Sequence, residues 1–172
     1  RSDDGQKLHM QSFGAMEHFD FKKAGAYSYE QAFQTFRTLG LSMDDVEEQF
    51  RRMAFNIIAR NQDDHVKNIA FLMNKSGTWS LSPAFDMTYS YNPSGAWTSS
   101  HQMSMNGKRD LFNLQDFRAC AKLVSMKRGR ADEILEQVQA AVQKWSQFAN
   151  QADVDAEFKD KIANTHRTAI LN

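Results

Sequence analysis

The sequence predicts a mainly α fold carrying one small β-hairpin. Several segments pair a polar capping residue with apolar residues at spacings of three and four, the signature of amphipathic helices. Only one place offers two short apolar runs across a turn, Ile69–Met73 and Thr78–Leu81 joined by Asn74-Lys75-Ser76-Gly77. No repeats or low-complexity tracts suggest another architecture.

Residues 1–7 are polar and read as a turn or linker stump, and Lys7–Ser12 as a short extended piece leading into Phe13–His18. Ser28 opens the first clear helix as a capping box with Gln31, and Tyr29, Phe33 and Phe36 share one face before Gly40 stops it. Ser42 caps the next helix. Asp44, Asp45, Glu47 and Glu48 fill its first turns, where the helix dipole favours anions. Its stripe of Val46, Phe50, Met53, Ala54, Ile57 and Ile58 makes it a spine of the core and delivers the chain to Asn61.

After the hairpin, residues 87–110 mix the aromatics Tyr89, Tyr91 and Trp97 with turn formers. They read as a long functional loop with a small hairpin around Met103–Lys108. Asn113 caps a helix with Leu114, Phe117, Ala121 and Val124 inward. A helix over about 131–149 carries Ile134, Val138, Ala141, Trp145 and Phe148, and a last one over about 155–170 carries Phe158, Ile162, His166 and Ala169.

A chain of 172 residues is one domain's worth, able to bury a core without staples. Lysine plus arginine equals aspartate plus glutamate at 21 each, so no global field recruits nucleic acid or membrane. Any nucleic-acid contact must be local. The longest clean apolar run, Ile69–Met73, is far short of a membrane span. The one cysteine, Cys120, falls on an apolar helix stripe, which makes it a core thiol and fits a reducing cytoplasm. The start at Arg1, without methionine or signal peptide, suggests a piece of a longer protein.

The chemistry concentrates in Asn61-Gln62-Asp63-Asp64-His65-Val66-Lys67-Asn68 and in Leu81-Ser82-Pro83-Ala84-Phe85-Asp86. Phosphoryl transfer from ATP needs an Asp to accept a hydroxyl proton, an Asn five residues later for one magnesium ion, and a second Asp for the other. Asp63, Asn68 and Asp86 stand in that order, the last at the end of the hairpin. A polar run after a helix is ordinarily a turn. The later Asp86 and the flanking residues are what argue for more.

The run Arg60–Phe71, with Trp79-Ser-Leu-Ser-Pro-Ala-Phe-Asp-Met87, resembles the HipA family of bacterial serine/threonine kinases, toxins of type II toxin–antitoxin modules. The stretch His101–Lys108 and the helical tail are similar to that family's C-terminal half. The resemblance implies a single domain over 1–172, a kinase-like C-terminal lobe of packed helices with a small β-hairpin at the active site. It implies Asp63 as catalytic base, Asn68 and Asp86 on magnesium, and His65 and Lys67 at the ATP phosphates. His65 has an alternative as a loop histidine bonding backbone. Asp64 would point elsewhere, solvated or capping a helix.

No His-Arg-Asp precedes the catalytic position and no Asp-Phe-Gly occupies the metal position, which favours the HipA type over eukaryotic-type kinases. A Gly-rich loop and strand lysine are lacking before Asp63, so the ATP-gripping N-terminal lobe is expected upstream of Arg1. The implied partners are a protein substrate, by family likeness an aminoacyl-tRNA synthetase, a DNA-binding antitoxin, and operator DNA through that complex.

The densest positive cluster is Lys127-Arg128-Gly129-Arg130 with Lys122. It reads as a solvated inter-helix turn near a helix C-terminus, or as a contact to DNA phosphates or a partner. Two rival functions stay open. One is a metal-dependent phosphohydrolase using Asp63, Asp64 and His65, although His9, His18, His101 and His166 are scattered. The other is a non-catalytic platform for an antitoxin.

Overall fold

The computed structural model describes residue 5 and residues 7–170, so most of the polar stretch 1–7 lies outside the described residues. Strand β1 (His9–Ser12) runs antiparallel to β2 (Ala70–Met73), with Ser12 opposite Ala70. Strand β2 pairs in turn with β3 (Trp79–Leu81), placing Phe71 opposite Leu81. The expected hairpin is therefore two strands of a three-stranded sheet. Its turn closes because Asn74 Oδ1 accepts the backbone N–H groups of Ser76 (3.0 Å) and Thr78 (2.9 Å).

Helix α1 (Phe13–Met16) follows β1 directly and presses on the loop after α3 (Met43–Ile58). Gly14 N–H donates to the Val66 carbonyl at 2.9 Å, and Phe13 N–H to that of Ile69 at 2.8 Å. A Cβ at Gly14 would lie 2.7 Å from Val66 Cγ2. The substitution Gly14→Ala is therefore expected to push Val66 outward and to cost about 1–3 kcal/mol in denaturant unfolding.

The caps behave as the residues dictate. Helix α2 (Tyr29–Thr38) starts on the Ser28–Gln31 capping box and α3 on Ser42–Asp45. Helix α4 (Leu114–Leu123) starts on Asn113–Asp116. The stripes of α2 and α3 are buried throughout, and α3 packs along α5 (Arg130–Val142). Phe50, Phe117 and Ile134 meet in one cluster that also holds Cys120, whose thiol burial pushes up.

The C-terminal helices differ from the sequence reading. The single helix expected over 131–149 breaks after Val142, and α6 (Trp145–Gln151) is separate. The Trp145 indole N–H donates to the Lys159 carbonyl at 3.0 Å, which ties α6 to α7 (Ala156–Ala163) rather than to the axis of α5. Ala141, Phe148 and Phe158 accordingly lie exposed around an apolar cavity of about 590 Å³ that Met87–Tyr89 closes from behind. The helix expected over 155–170 ends at Ala163. Beyond it the chain folds back until Arg167 N–H donates to the Ile58 carbonyl at 2.9 Å.

The hairpin expected around Met103–Lys108 reduces to one bridge, Met105 to Lys108, turned by Asn106 and Gly107, both at positive φ. A further bridge joins Ser104 to Ser28 and fixes this segment against the start of α2.

Candidate active site

Helix α3 ends in a Schellman arrangement. Asn61 N–H donates back to the Asn56 carbonyl at 2.9 Å, and Arg60 takes the left-handed position at φ 63°. That conformation costs a non-glycine residue roughly 1–2 kcal/mol. An arginine side chain there is used: it donates to the Thr165 carbonyl at 2.8 Å and lies 4.4 Å over the Tyr91 ring.

The chain leaving α3 is then stitched to the segment after β3. Buried Asn61 donates to Asn56 Oδ1 (3.0 Å) and to the Asp86 carbonyl (3.2 Å), and accepts from Ser90 Oγ at 3.1 Å. Ser90 Oγ in turn accepts Asp63 N–H at 2.9 Å. Asn68 closes the group, its Nδ2 donating to the Asp63 carbonyl (3.1 Å) and to Asp86 Oδ2 (2.9 Å). Asp63, Asn68 and Asp86 thus form one cluster, as their order in the sequence led us to expect. Asp86 sits at φ 55°, a strained position for a non-glycine residue.

Partial burial raises the Asp63 carboxyl above the ordinary range. The His65 ring opposes that rise, while the charges of Asp86 and Asp64 add to it. A divalent cation would relieve this crowding. The Asn68 amide oxygen and the Asp86 carboxylate are hard oxygen donors beside solvent, the donor set magnesium takes when it keeps several waters. The residues present fit that ion.

His65 and Lys67 flank one exposed aromatic that sequence reasoning did not single out. Lys67 Nζ lies 3.5 Å from the Phe21 ring centre, and the His65 ring meets Phe21 edge-on at 6.1 Å. His65 Nδ1 is buried and finds no partner among the described residues, so the backbone-bonding alternative has no support at that nitrogen.

Asp64 departs from its expected role. It does point away from Asp63, but it is neither solvated nor a cap. Its buried carboxylate accepts the Tyr29 hydroxyl at 2.7 Å, His101 Nδ1–H at 2.9 Å and Gln102 N–H at 2.8 Å. Burial pushes this carboxyl up. The His101 ring and the three hydrogen bonds outweigh that and hold it below the usual range. With both its oxygens engaged there, Asp64 does not converge with Asp63 and His65 on a metal.

Tyr29, Asn56, Ser90 and Gln102 were also missed as site residues. The one available signal was that a tyrosine on a fully apolar face must find a partner for its hydroxyl.

The basic cluster lies elsewhere, in the turn between α4 and α5. Lys122, Lys127 and Arg128 are exposed around a groove that also includes Arg118 and Gly129. Arg130, at the start of α5, pairs with Glu47 (2.8 Å) and Glu133 (2.9 Å). Among the described residues no helix is long and apolar enough to cross a membrane.

The family model for the HipA-like C-terminal domain matches residues 1–145. Among solved structures, the fold is similar to a chain of the Shewanella oneidensis MR-1 toxin–antitoxin complex of HipA, HipB and operator DNA, with TM-score 0.73 and 15% identity. That match covers 95% of this chain and 45% of the other, so the chain spans less than half the length of its structural neighbour. At such identity the likeness speaks for the fold alone. No curated protein sequence matches. With most of its length matched by the family model, this chain belongs to the HipA-like C-terminal domain family.

Proposed function

We propose that this chain is the C-terminal catalytic lobe of a HipA-type protein serine/threonine kinase, the toxin of a toxin–antitoxin pair, acting with an ATP-gripping N-terminal lobe. The observation that carries this is the Asn68 amide, which bonds the Asp63 backbone and the Asp86 carboxylate at once. It holds the loop that carries Asp63 beside the Asp86 carboxylate, which supports a grouping of a general base with two oxygen ligands of the kind in-line phosphoryl transfer uses.

In this reading Asp63 accepts the proton of a substrate serine hydroxyl as the oxygen attacks the γ-phosphorus of ATP and the bond from that phosphorus to the β–γ bridging oxygen breaks, with ADP leaving. Its raised affinity for protons suits that task. Asn68 and Asp86 would hold magnesium, which would supply charge neutralisation for the transferring phosphoryl group. Lys67 and His65 face the phosphates, Lys67 as a point charge freed from Phe21 when nucleotide binds.

The protein target, by family likeness an aminoacyl-tRNA synthetase, and residence in the cytoplasm belong to the same proposal. So do a DNA-binding antitoxin and operator DNA, since the similar Shewanella complex contains both. Lys122, Lys127 and Arg128 are the candidates for phosphate contact in such an assembly, positioning rather than reading sequence.

Transfer of label from γ-labelled ATP by the full-length protein tests the reading. Asp86→Asn should lower kcat by at least about 100-fold, and Asn68→Ala should raise the magnesium concentration needed. Wild-type magnesium dependence in both variants would overturn the assignment.

A further inference from the structure

Arg167 lies beyond the stretch the family model matches, yet its side chain ends inside the site's supporting shell. Its guanidinium donates to the Ile57 carbonyl (3.0 Å) and to His101 Nε2 (2.8 Å), and bonds Asp110 Oδ1 through its other nitrogen. Because arginine only donates, His101 Nε2 must accept. The ring proton then lies on Nδ1 and points at Asp64. Asp64 adjoins Asp63 in the chain, and its other oxygen takes the Gln102 amide. A continuous path therefore runs from the C-terminal segment through Arg167, His101 and Asp64 to the loop 61–68. A second strand of contacts, Arg60 to the Thr165 carbonyl, runs beside it.

We propose that Arg167 is a positioning residue: by fixing the orientation of His101 it holds Asp64, and through Asp64 the loop that carries Asp63 and Asn68. The segment after residue 163 is then a working part of the site rather than a tail. Removing the guanidinium leaves His101 Nε2 without its donor and frees the imidazole to turn. Asp64 then holds the ring alone, and the loop loses its register. The ordering of the loop stands on the geometry above, whereas its consequence for phosphotransfer rests on the kinase reading.

The test uses the full-length protein with Arg167→Ala, Arg167→Lys and His101→Gln. Glutamine can donate to Asp64 and accept from Arg167, so His101→Gln should preserve the relay. Amide exchange across 61–68 should quicken by about tenfold or more in Arg167→Ala while the protein stays folded, and should stay within about threefold of wild type in His101→Gln.

In the kinase assay Arg167→Ala should lose about 10–100-fold in kcat, with KM for ATP nearly unchanged, since a small misplacement at the chemistry costs that much. Should Arg167→Ala fail to fold, Arg167→Lys decides. Lysine keeps the charge near Asp110 but cannot serve Ile57, His101 and Asp110 together, so exchange must still quicken. Unchanged exchange at 61–68 in a folded Arg167 variant overturns the proposal. A wild-type protein without phosphotransfer removes the kinase reading instead and leaves the exchange result to decide this one.

Discussion

Asp63→Asn in the full-length protein is expected to abolish phosphotransfer, and the toxicity that depends on it, while leaving the fold and nucleotide binding in place. General-base removal costs roughly 10²–10⁴-fold. The stability side has a definite sign. The Asp63 carboxyl is raised above its ordinary value of 3.8, first by partial burial and also by the charge of Asp86. Its ionisation therefore opposes folding, and that destabilisation develops as pH rises from 3.8 through the raised folded value.

Asparagine cannot ionise, so the variant should melt at or slightly above the wild-type temperature at neutral pH. The wild-type rate should climb with pH as the base form fills, in a window that bound magnesium moves below the one seen in stability. A variant that phosphorylates at the wild-type rate would sink the assignment. One that is inactive because it is unfolded would fail the stability half.

What was legible in the sequence was what is local. The Ser28–Gln31 box, the Asn113 cap and the Tyr29, Phe33, Phe36 face follow from residue type and spacing alone, and each is present. The Asp63–Asn68–Asp86 cluster was legible for a related reason. Their order and the five-residue separation of Asp63 and Asn68 match what phosphoryl transfer asks of its residues. What was not legible depends on partners distant in sequence. Strand β1 falls within the extended piece read over Lys7–Ser12, but its pairing with β2 could not be read from so polar and short a run. The break between α5 and α6 is set by Trp145 reaching α7, which no periodicity records. Asp64 is the plainest case. As the neighbour of a catalytic candidate it reads as a solvated loop carboxylate, but His101, which takes its oxygen, stands 37 residues away.

That same isolation from water makes Asp64→Ala the substitution expected to damage the fold most. The carboxylate is fully enclosed and accepts from a phenol, an imidazole and a backbone amide. Truncation strands all three donors in a site where water does not reach. Leaving a buried donor without its partner costs about 1–3 kcal/mol per group, so stranding three removes a large share of the roughly 5–15 kcal/mol by which domains are stable. Asp64→Asn should be milder, because its amide oxygen can still accept from one or two donors. Its NH₂ must then meet the Tyr29 hydroxyl or the His101 ring, and about 1–3 kcal/mol is expected.

The wild type should show the matching pH signature. A carboxyl held below its ordinary value of 3.8 stabilises the fold fully above that pH, and the contribution fades as pH falls through the depressed folded value. Asp64→Asn should lack that component of acid unfolding, a dependence opposite in sign to the one Asp63 contributes. Urea unfolding of wild type, Asp64→Asn and Asp64→Ala at neutral pH, near pH 3.8 and well below it measures both. If Asp64→Ala unfolds at the wild-type midpoint, Asp64 is not the anchor of the loop. The clamp on the candidate catalytic loop would then have to come from Asn61 and Ser90 alone.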